Sequence, residues 1–287
     1  MKKNQKMTRL LIAFGVVLFL LTSCSSSRGS RQKVASKPLP IPELFSILDS
    51  IVEEGWHLYY SERANWVASD LVMEKYRAED IGGSVSWESS DSVWHVSFFD
   101  KEEQNCILEY QYDLKSNKPN TSYSIRPITS VERTNKAIKD SLISSALNLY
   151  GDSLLFADSK FGSPNIDVVH INDKLIRLYF LQGTFIPDVI PFGNDYSVDF
   201  DENLRPLAFR RYHHSLIAMK TKREDGKIVV SNIHSHLQDN PFITPTDICN
   251  FLLYRSKNMS DFRVYSTVYG CQFSYSYGSN KIITVTE

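Results

Sequence analysis

Hydrophobic and polar residues follow two different periods along this chain. Over residues 42–60 the apolar side chains recur three and four positions apart, which predicts an amphipathic helix with Pro42 in its first turn. A weaker helical pattern covers residues 66–76. Over residues 83–112 the period changes to two, which predicts a meander of antiparallel strands. The polar turn at residues 117–120 is typical of a boundary between modules.

The second half of the chain alternates strand-like and helical patterns. A helix is predicted over residues 131–150, with Ser130 as its N-cap and Gly151 as its stop. Strands are predicted at residues 168–171, 175–181, 196–200, 207–212 and 228–236, followed by a helix at 245–254 and a hairpin at 264–267 and 272–277. The predicted class is α+β, with an N-terminal helix and antiparallel meander followed by a mixed sheet flanked by helices.

The first residues carry a signal for export. Four basic side chains precede an apolar run at residues 10–21 that is interrupted only by Gly15. A run of about a dozen residues is too short for the ~20 that cross a bilayer as a helix, so it is typical of a signal peptide. The run leads into Leu21-Thr22-Ser23-Cys24, which resembles the lipobox of bacterial lipoproteins. The alternative is an ordinary secretory peptide in which Cys24 stands by chance.

The lipobox resemblance implies cleavage before Cys24, lipidation of its thiol and acylation of the new amino terminus. Several acyl chains, each CH₂ contributing ~0.8 kcal/mol, would anchor the chain stably to a membrane. Ser25 follows the cysteine, and without an Asp there the outer membrane is favoured over the inner one, with either leaflet possible. The predicted order is a signal peptide (1–23), a lipidated tether (24–41), an aromatic-rich α+β module (42–129) and a second domain (130–287).

Composition excludes several classes of function. The 32 basic side chains against 33 acidic ones give no basic field for nucleic acid, so no nucleic-acid partner is expected. The three cysteines that follow Cys24 permit at most one internal disulfide and contain no Cys-x-x-Cys pair. The tryptophans of the first module can line a glycan or peptide groove, although such residues more often form a core.

The most specific chemical pattern lies in residues 232–247. His234 and His236 are two apart at the end of a predicted strand, so alternation directs both imidazoles to one side. Asp247 lies in the first turn of the next predicted helix, which can return its carboxylate to the histidines. Two imidazoles and one carboxylate leave one tetrahedral position open, as in many catalytic zinc sites. Zinc is therefore the expected cofactor.

The same residues resemble the motif of JAMM/MPN-type metalloproteases: His-x-His, seven residues, Ser or Thr, two residues, then Asp. His234, His236, Thr244 and Asp247 occupy those positions without a gap. The resemblance covers roughly the second half of the chain. It implies that the two histidines and Asp247 bind zinc, that Thr244 assists the reacting oxygen, and that a peptide or protein is the substrate.

The chain departs from that family in one important position. Family members carry an upstream Glu as general base, and here no Glu occurs between Glu132 and Glu202. Asp195 can replace it with a shorter reach, whereas Gln182 cannot accept a proton usefully at neutral pH. Glu202 falls in a predicted hairpin turn, where a solvated side chain is expected.

Three functions remain open from the sequence. The first is a zinc-dependent peptidase or isopeptidase in the cell envelope, with Asp195 as base and Thr244 assisting. The second is a non-catalytic member of the same fold, and the third is a metal-free binding lipoprotein. In the third case Thr244 and Asp247 form only a helix capping box. Of the adjacent pair His213 and His214, at most one can join a zinc cluster, because neighbouring strand residues face opposite sides.

Overall fold

The computed structural model describes residues 41–116, 118–154 and 161–285, with the side chains of Ile41 and Pro42 left out. The predicted signal peptide, the lipidation site Cys24 and all but the last residue of the predicted tether lie outside these ranges. Within the same ranges, no helix combines the length and apolar character needed to span a membrane.

The described chain is α+β, as predicted, with three α-helices and fifteen strands. The helices are α1 (Ile41–Met73), α2 (Ser130–Tyr150) and α3 (Pro245–Tyr254). The strands of the first sheet are β1 (Ile81–Glu88), β2 (Val93–Asp100), β3 (Asn105–Asp113), β4 (Lys118–Ser122) and β5 (Arg126–Pro127). They form the predicted antiparallel meander in the order β1-β2-β3-β4, with β5 also paired to β3.

The second half contains three sheets where the sequence pattern predicted one. An antiparallel sheet, ordered β10-β9-β7-β6, comprises β6 (Pro164–Asn172), β7 (Leu175–Gln182), β9 (Tyr196–Asp201) and β10 (Pro206–Arg211). A two-stranded ribbon pairs β8 (Val189–Phe192) with β11 (Ile217–Lys220). The mixed sheet comprises β12 (Ser231–His236), β13 (Asp261–Ser266), β14 (Cys271–Ser276) and β15 (Lys281–Val285), with β12 and β13 parallel and connected through α3.

Helix α1 replaces the two helices predicted from periodicity. Residues 61–65, between the two patterns, contain neither Pro nor Gly, so nothing interrupts the backbone hydrogen bonds there. The first half of α1 packs Leu44, Leu48 and Val52 into the core of the mixed sheet and α3. Its second half packs Ala64 and Ala68 into the core of the meander. The apolar stripe therefore changes direction within one continuous helix.

Helices α1 and α3 approach closely at Gly55. A Cβ atom added there would lie 2.7 Å from Cβ of Ile248, far inside van der Waals contact. The glycine therefore lets α3 lie directly against α1, which fixes the position of the α3 N-terminus. That N-terminus carries Asp247.

Helix α2 begins one residue earlier than predicted. Its N-cap is Thr129, whose side chain accepts a hydrogen bond from the backbone N–H of Glu132, and the Glu132 carboxylate accepts one from the Thr129 N–H. This reciprocal capping box outcompetes Ser130 as a cap because it satisfies two backbone donors at once. Gly151 has a right-handed φ of −51° and continues into a 3₁₀ turn, so the expected left-handed stop is not formed there.

Two buried carboxyl groups, Glu62 on α1 and Asp167 on β6, lie at the junction of these elements. Ser61 donates a hydrogen bond to Asp167 (2.7 Å), and Asn165 donates one to Glu62 (2.6 Å). Burial, with the nearby charge of Asp167, raises the pKa of Glu62 to about 8. Burial also raises the pKa of Asp167.

We expect the variant Glu62→Gln to remove a pH dependence of stability. The folded-state pKa of Glu62 lies above its ordinary value of 4.5, so its contribution is complete below pH 4.5 and is lost as the pH rises toward about 8. Wild-type stability should fall by roughly 3–4 kcal/mol between pH 5 and 8 from this group, and the fall should be smaller in Glu62→Gln. Urea unfolding at several pH values measures this, with the exposed Glu202→Gln as control. A wild-type slope retained in Glu62→Gln would contradict it.

Candidate metal centre

The strand β12 directs His234 and His236 to the same buried face, as alternation requires. The two side chains are 7% and 2% exposed, while Ser235 between them faces outward. Strand β12 pairs in parallel with β13, which places His234 beside Val264 and His236 beside Ser266. The Nε2 atoms of the two histidines lie 3.0 Å apart.

Asp247 uses its two carboxylate oxygens for different purposes. Its Oδ2 accepts hydrogen bonds from the backbone N–H and the hydroxyl of Thr244, both at 2.9 Å, which completes the capping box of α3. Its Oδ1 is buried without a hydrogen-bond partner in the described chain and lies 3.4 Å from Nε2 of His234. From the sequence, helix capping and metal binding were alternative roles for Asp247. Because each role uses a different oxygen, the one side chain can serve both.

A third histidine, His213, completes the cluster. It lies just after β10, with its side chain 4% exposed and its Nε2 2.9 Å from Nε2 of His236 and 3.2 Å from Oδ1 of Asp247. His214, the next residue, turns its side chain outward toward Asp239 and is 60% exposed. One member of the pair joins the cluster, and it fills the position that the sequence left open for water.

Hydrogen bonds behind the rings hold two of the histidines in place. Nδ1 of His213 donates to both oxygens of Asp195, at 2.8 and 2.9 Å, and the Thr246 hydroxyl also donates to Asp195. Nδ1 of His236 donates to the backbone carbonyl of Phe242 at 2.5 Å. Such bonds fix the ring orientation and tautomer of histidines that bind metals.

The turn that positions Asp195 depends on Gly193. This residue has a φ of +92°, and a Cβ added to it would lie 2.1 Å from the backbone oxygen of Ser215. The segment after β8 and the segment after β10 therefore lie in direct backbone contact. This contact brings Asp195 and His213 together, although they are 18 residues apart in the chain.

These hydrogen bonds leave a conflict that a cation resolves. When both rings are neutral and Nδ1 carries the proton in each, Nε2 of His213 and Nε2 of His236 present lone pairs toward each other at 2.9 Å. The unpartnered Oδ1 of Asp247 adds a third electron-rich atom to the same point. Two lone pairs at this distance repel unless a proton or a metal ion lies between them.

The ligand atoms lie nearly as close together as those of a four-coordinate metal site. Four ligands at the usual zinc distances of about 2.0–2.2 Å lie roughly 3.3–3.6 Å from one another. The observed separations among the three Nε2 atoms and the Asp247 oxygens include 2.9, 3.0, 3.2, 3.4 and 3.5 Å. One ligand atom from each of the four residues lies within 4.8 Å of all the others. The group can therefore hold a metal ion.

Electrostatics favour an ionised carboxylate at the centre. Burial opposes ionisation, but the three imidazoles hold the pKa of Asp247 well below its ordinary value. For His213, burial is outweighed by Asp195 and Asp247, which hold its pKa well above the ordinary value. Burial lowers the pKa of His236 to about 4, which keeps that ring neutral and available as a ligand.

The structure brings together the three predicted ligands His234, His236 and Asp247, and adds His213. Thr244 caps α3, and its hydroxyl contacts Thr246 and Asp247. Asp195 lies behind His213, with both oxygens engaged and the side chain closed to solvent. The two other candidates considered for the base lie elsewhere: Glu202 is exposed in the turn after β9, and Gln182 donates to the backbone carbonyls of Gly162 and Gly183.

One cleft reaches the cluster from solvent. It has a volume of about 170 Å³ and is bordered by His213, His236, Ser215, Leu237 and Asp239, among others. The rings of His213 and His236 form its floor, and both side chains are nearly closed to solvent. Access to a bound metal would be along the edge between these two rings.

No known protein family, no curated protein and no solved structure matches this chain.

Proposed function

We propose that this chain is a lipid-anchored envelope protein whose folded part holds a zinc ion between His213, His234, His236 and Asp247. The observation that carries the proposal is that three buried histidines and one buried carboxylate each place a ligand atom within 4.8 Å of all the others, with Oδ1 of Asp247 left without a hydrogen-bond partner in the described chain. The sequence around Cys24 supports attachment to a bacterial membrane, with the outer membrane favoured.

The ligand set supports a structural role for the metal. Four protein side chains complete a tetrahedral zinc site, whereas catalytic zinc usually keeps one position for water. The ligands come from β12, from the N-terminus of α3 and from the segment after β10, so the ion would connect the mixed sheet to the antiparallel sheet. Three imidazoles and one carboxylate suit zinc, which prefers nitrogen donors over the oxygen-rich sites of Mg²⁺ and Ca²⁺.

Metal analysis of paired histidine variants tests the proposal. We expect one zinc ion per chain in the purified full-length protein and in His214→Ala, and none in His236→Ala. His214 is the matched control, because it neighbours a ligand in the chain but points to solvent. Absence of metal from all three proteins after incubation with zinc, or equal metal in His236→Ala, would end the proposal.

Replacement of zinc by Co²⁺ tests the closed ligand set. Tetrahedral Co²⁺ absorbs visible light much more strongly than five- or six-coordinate Co²⁺, because its d–d bands are partly allowed. We expect the strong tetrahedral spectrum, unchanged when small anions such as azide are added. A spectrum that shifts on anion addition would indicate an open position and favour a hydrolase.

The second function is a JAMM-like zinc hydrolase that cleaves peptide or isopeptide bonds. The motif His234, His236, Thr244 and Asp247 supports it, as does the cleft that ends at His213 and His236. Zinc in such a site lowers the pKa of bound water. The position of Asp195 behind His213 is that of a positioning residue and does not suit the general base. Zinc-dependent cleavage of a peptide library, lost in His236→Ala and kept in His214→Ala, would establish this activity.

A further inference from the structure

A row of aromatic rings lies away from the metal centre. Three of the rings belong to α1, and the fourth, Tyr277, follows β14. Ring centroids are 6.3 Å apart for Tyr277 and Trp56, 5.3 Å for Trp56 and Tyr60, and 5.5 Å for Tyr60 and Tyr59. The indole N–H of Trp56 donates to the hydroxyl of Tyr275 at 3.1 Å, which fixes the orientation of that ring. We call this surface the aromatic groove.

The aromatic groove is concave. One depression of about 520 Å³ is lined by Trp56 and Tyr60 together with polar side chains, which are those of Asp49, Glu53, His57 and Asn280. A second, of about 480 Å³, is lined by Tyr59, Tyr110, Tyr112, Arg63 and Thr121. Tyr60 lines the first depression and Tyr59 the second, and the centroids of these two rings are 5.5 Å apart. Depressions of this size match the sites of small molecules and short chains, which are about 300–1,000 Å³.

The polar groups of the aromatic groove are available for a ligand. The hydroxyls of Tyr59 and Tyr60 form no hydrogen bond with another described residue. Arg63 lies against the ring of Trp66 and Arg255 against the ring of Tyr277, and neither guanidinium is paired with a carboxylate of the described chain. One nitrogen of Arg255, Nη1, donates to the backbone carbonyls of Ser256 and Met259. Unpaired guanidinium groups bind carboxylates well, because two parallel N–H donors match the two oxygens.

We propose that the aromatic groove binds an acidic oligosaccharide, a function independent of the metal centre. The C–H faces of sugar rings pack against aromatic rings, while sugar hydroxyls bond to phenol, amide and carboxylate groups. Tyr59, Tyr60 and Trp56 supply the faces, Asp49 and Glu53 supply acceptors for sugar hydroxyls, and Arg63 and Arg255 supply the charge for a uronic acid. Tyrosine, tryptophan and arginine are also frequent at protein interfaces, but two neighbouring depressions with aromatic walls suit a chain of sugar rings better than a flat partner surface.

Binding of defined oligosaccharides to the full-length protein tests this proposal. The probes are oligogalacturonate, which carries carboxylates, and cellohexaose, which is uncharged, with tryptophan fluorescence and calorimetry as readouts. We expect oligogalacturonate to bind, and cellohexaose to bind at least about tenfold more weakly. Tyr60→Ala and Arg63→Gln should each weaken binding of oligogalacturonate by about tenfold or more.

Three control variants separate ligand binding from effects on folding and on the metal centre. Tyr265→Ala and Arg133→Gln remove the same side-chain types from other exposed positions, and both should bind like the wild type. His236→Ala should also retain oligosaccharide binding. The proposal is overturned if neither oligosaccharide binds, or if Tyr60→Ala and Arg63→Gln bind as well as their controls. Binding of a purified protein that Tyr60→Ala abolishes, without any sugar binding, would also overturn it.

Discussion

Asp247→Ala is expected to abolish metal binding and to lower the free energy of unfolding by about 3–5 kcal/mol. The substitution removes the N3 side chain of the α3 capping box, a loss of about 1 kcal/mol. It also removes the only carboxylate ligand of the described cluster and leaves three buried imidazoles facing one another. The combined loss of stability is large because one oxygen of Asp247 caps α3 and the other belongs to the metal cluster.

Two companion variants separate these contributions. Asp247→Asn keeps an oxygen that can accept from the Thr244 N–H, so α3 should start normally while metal binding is lost. Thr244→Ala removes a capping hydroxyl and should cost about 1 kcal/mol with the metal retained. Urea unfolding with zinc and with chelator measures both effects. Wild type and Thr244→Ala should be destabilised by the chelator, and the two Asp247 variants should not respond. Wild-type metal content in Asp247→Ala would contradict the assignment.

Glu132→Ala is expected to lower the free energy of unfolding by about 3–5 kcal/mol, because it breaks a buried ion pair and a helix cap together. The Arg126 guanidinium donates to both carboxylate oxygens at 2.8 Å, and the Ser97 hydroxyl donates at 2.6 Å. The Glu132 side chain is only 1% exposed. Removal would leave Arg126, Ser97 and the Thr129 backbone N–H without their shared acceptor.

The Glu132 carboxylate also makes the stability of the fold sensitive to acid. Burial tends to raise the pKa of Glu132, but hydrogen bonds from Arg126, Ser97 and Thr129 lower it to about 2. Because the folded-state pKa lies below the ordinary value of 4.5, the stabilisation is complete above pH 4.5 and is lost as the pH falls toward 2. It amounts to about 3 kcal/mol at neutral pH.

Unfolding by urea at pH 5 and pH 3 measures this loss. The wild type should lose stability between the two values, and Glu132→Gln should lose less, since it carries no charge to protonate. The exposed Glu102→Gln serves as control and should follow the wild type. If Glu132→Gln shows the full wild-type decrease, other carboxylates are responsible for the acid sensitivity.

Local patterns predicted most elements, and the errors have identifiable causes. The helix α3 has the predicted bounds, because Thr244, Pro245 and Asp247 together form a specific start signal. The single helix α1 was predicted as two, because its apolar face turns from one core to another near Ser61. The strands β8 and β11 were not predicted, because four residues provide too few alternations to detect.

The metal cluster was predictable only where its ligands share one segment. The spacing of His234 and His236 and the capping position of Asp247 define their side-chain directions within one strand and one helix. His213 comes from a bend that follows a different strand, so no spacing relates it to β12. The only sign of a third ligand in the sequence was the pair His213 and His214 after a predicted strand. The tertiary contact through Gly193 determines that His213 joins the cluster and His214 faces solvent.

The continuity of α1 has a consequence for the order in which the protein folds. Trp56 on this helix bonds to Tyr275, which is made 219 residues later. The first half of α1 is thus synthesised long before its packing partners in β13 and β14. Contacts at such long sequence separation slow folding, because the intervening chain must close first. Chains truncated before β13 should therefore leave Leu44 and Leu48 without their packing partners and should aggregate more readily than the full-length chain.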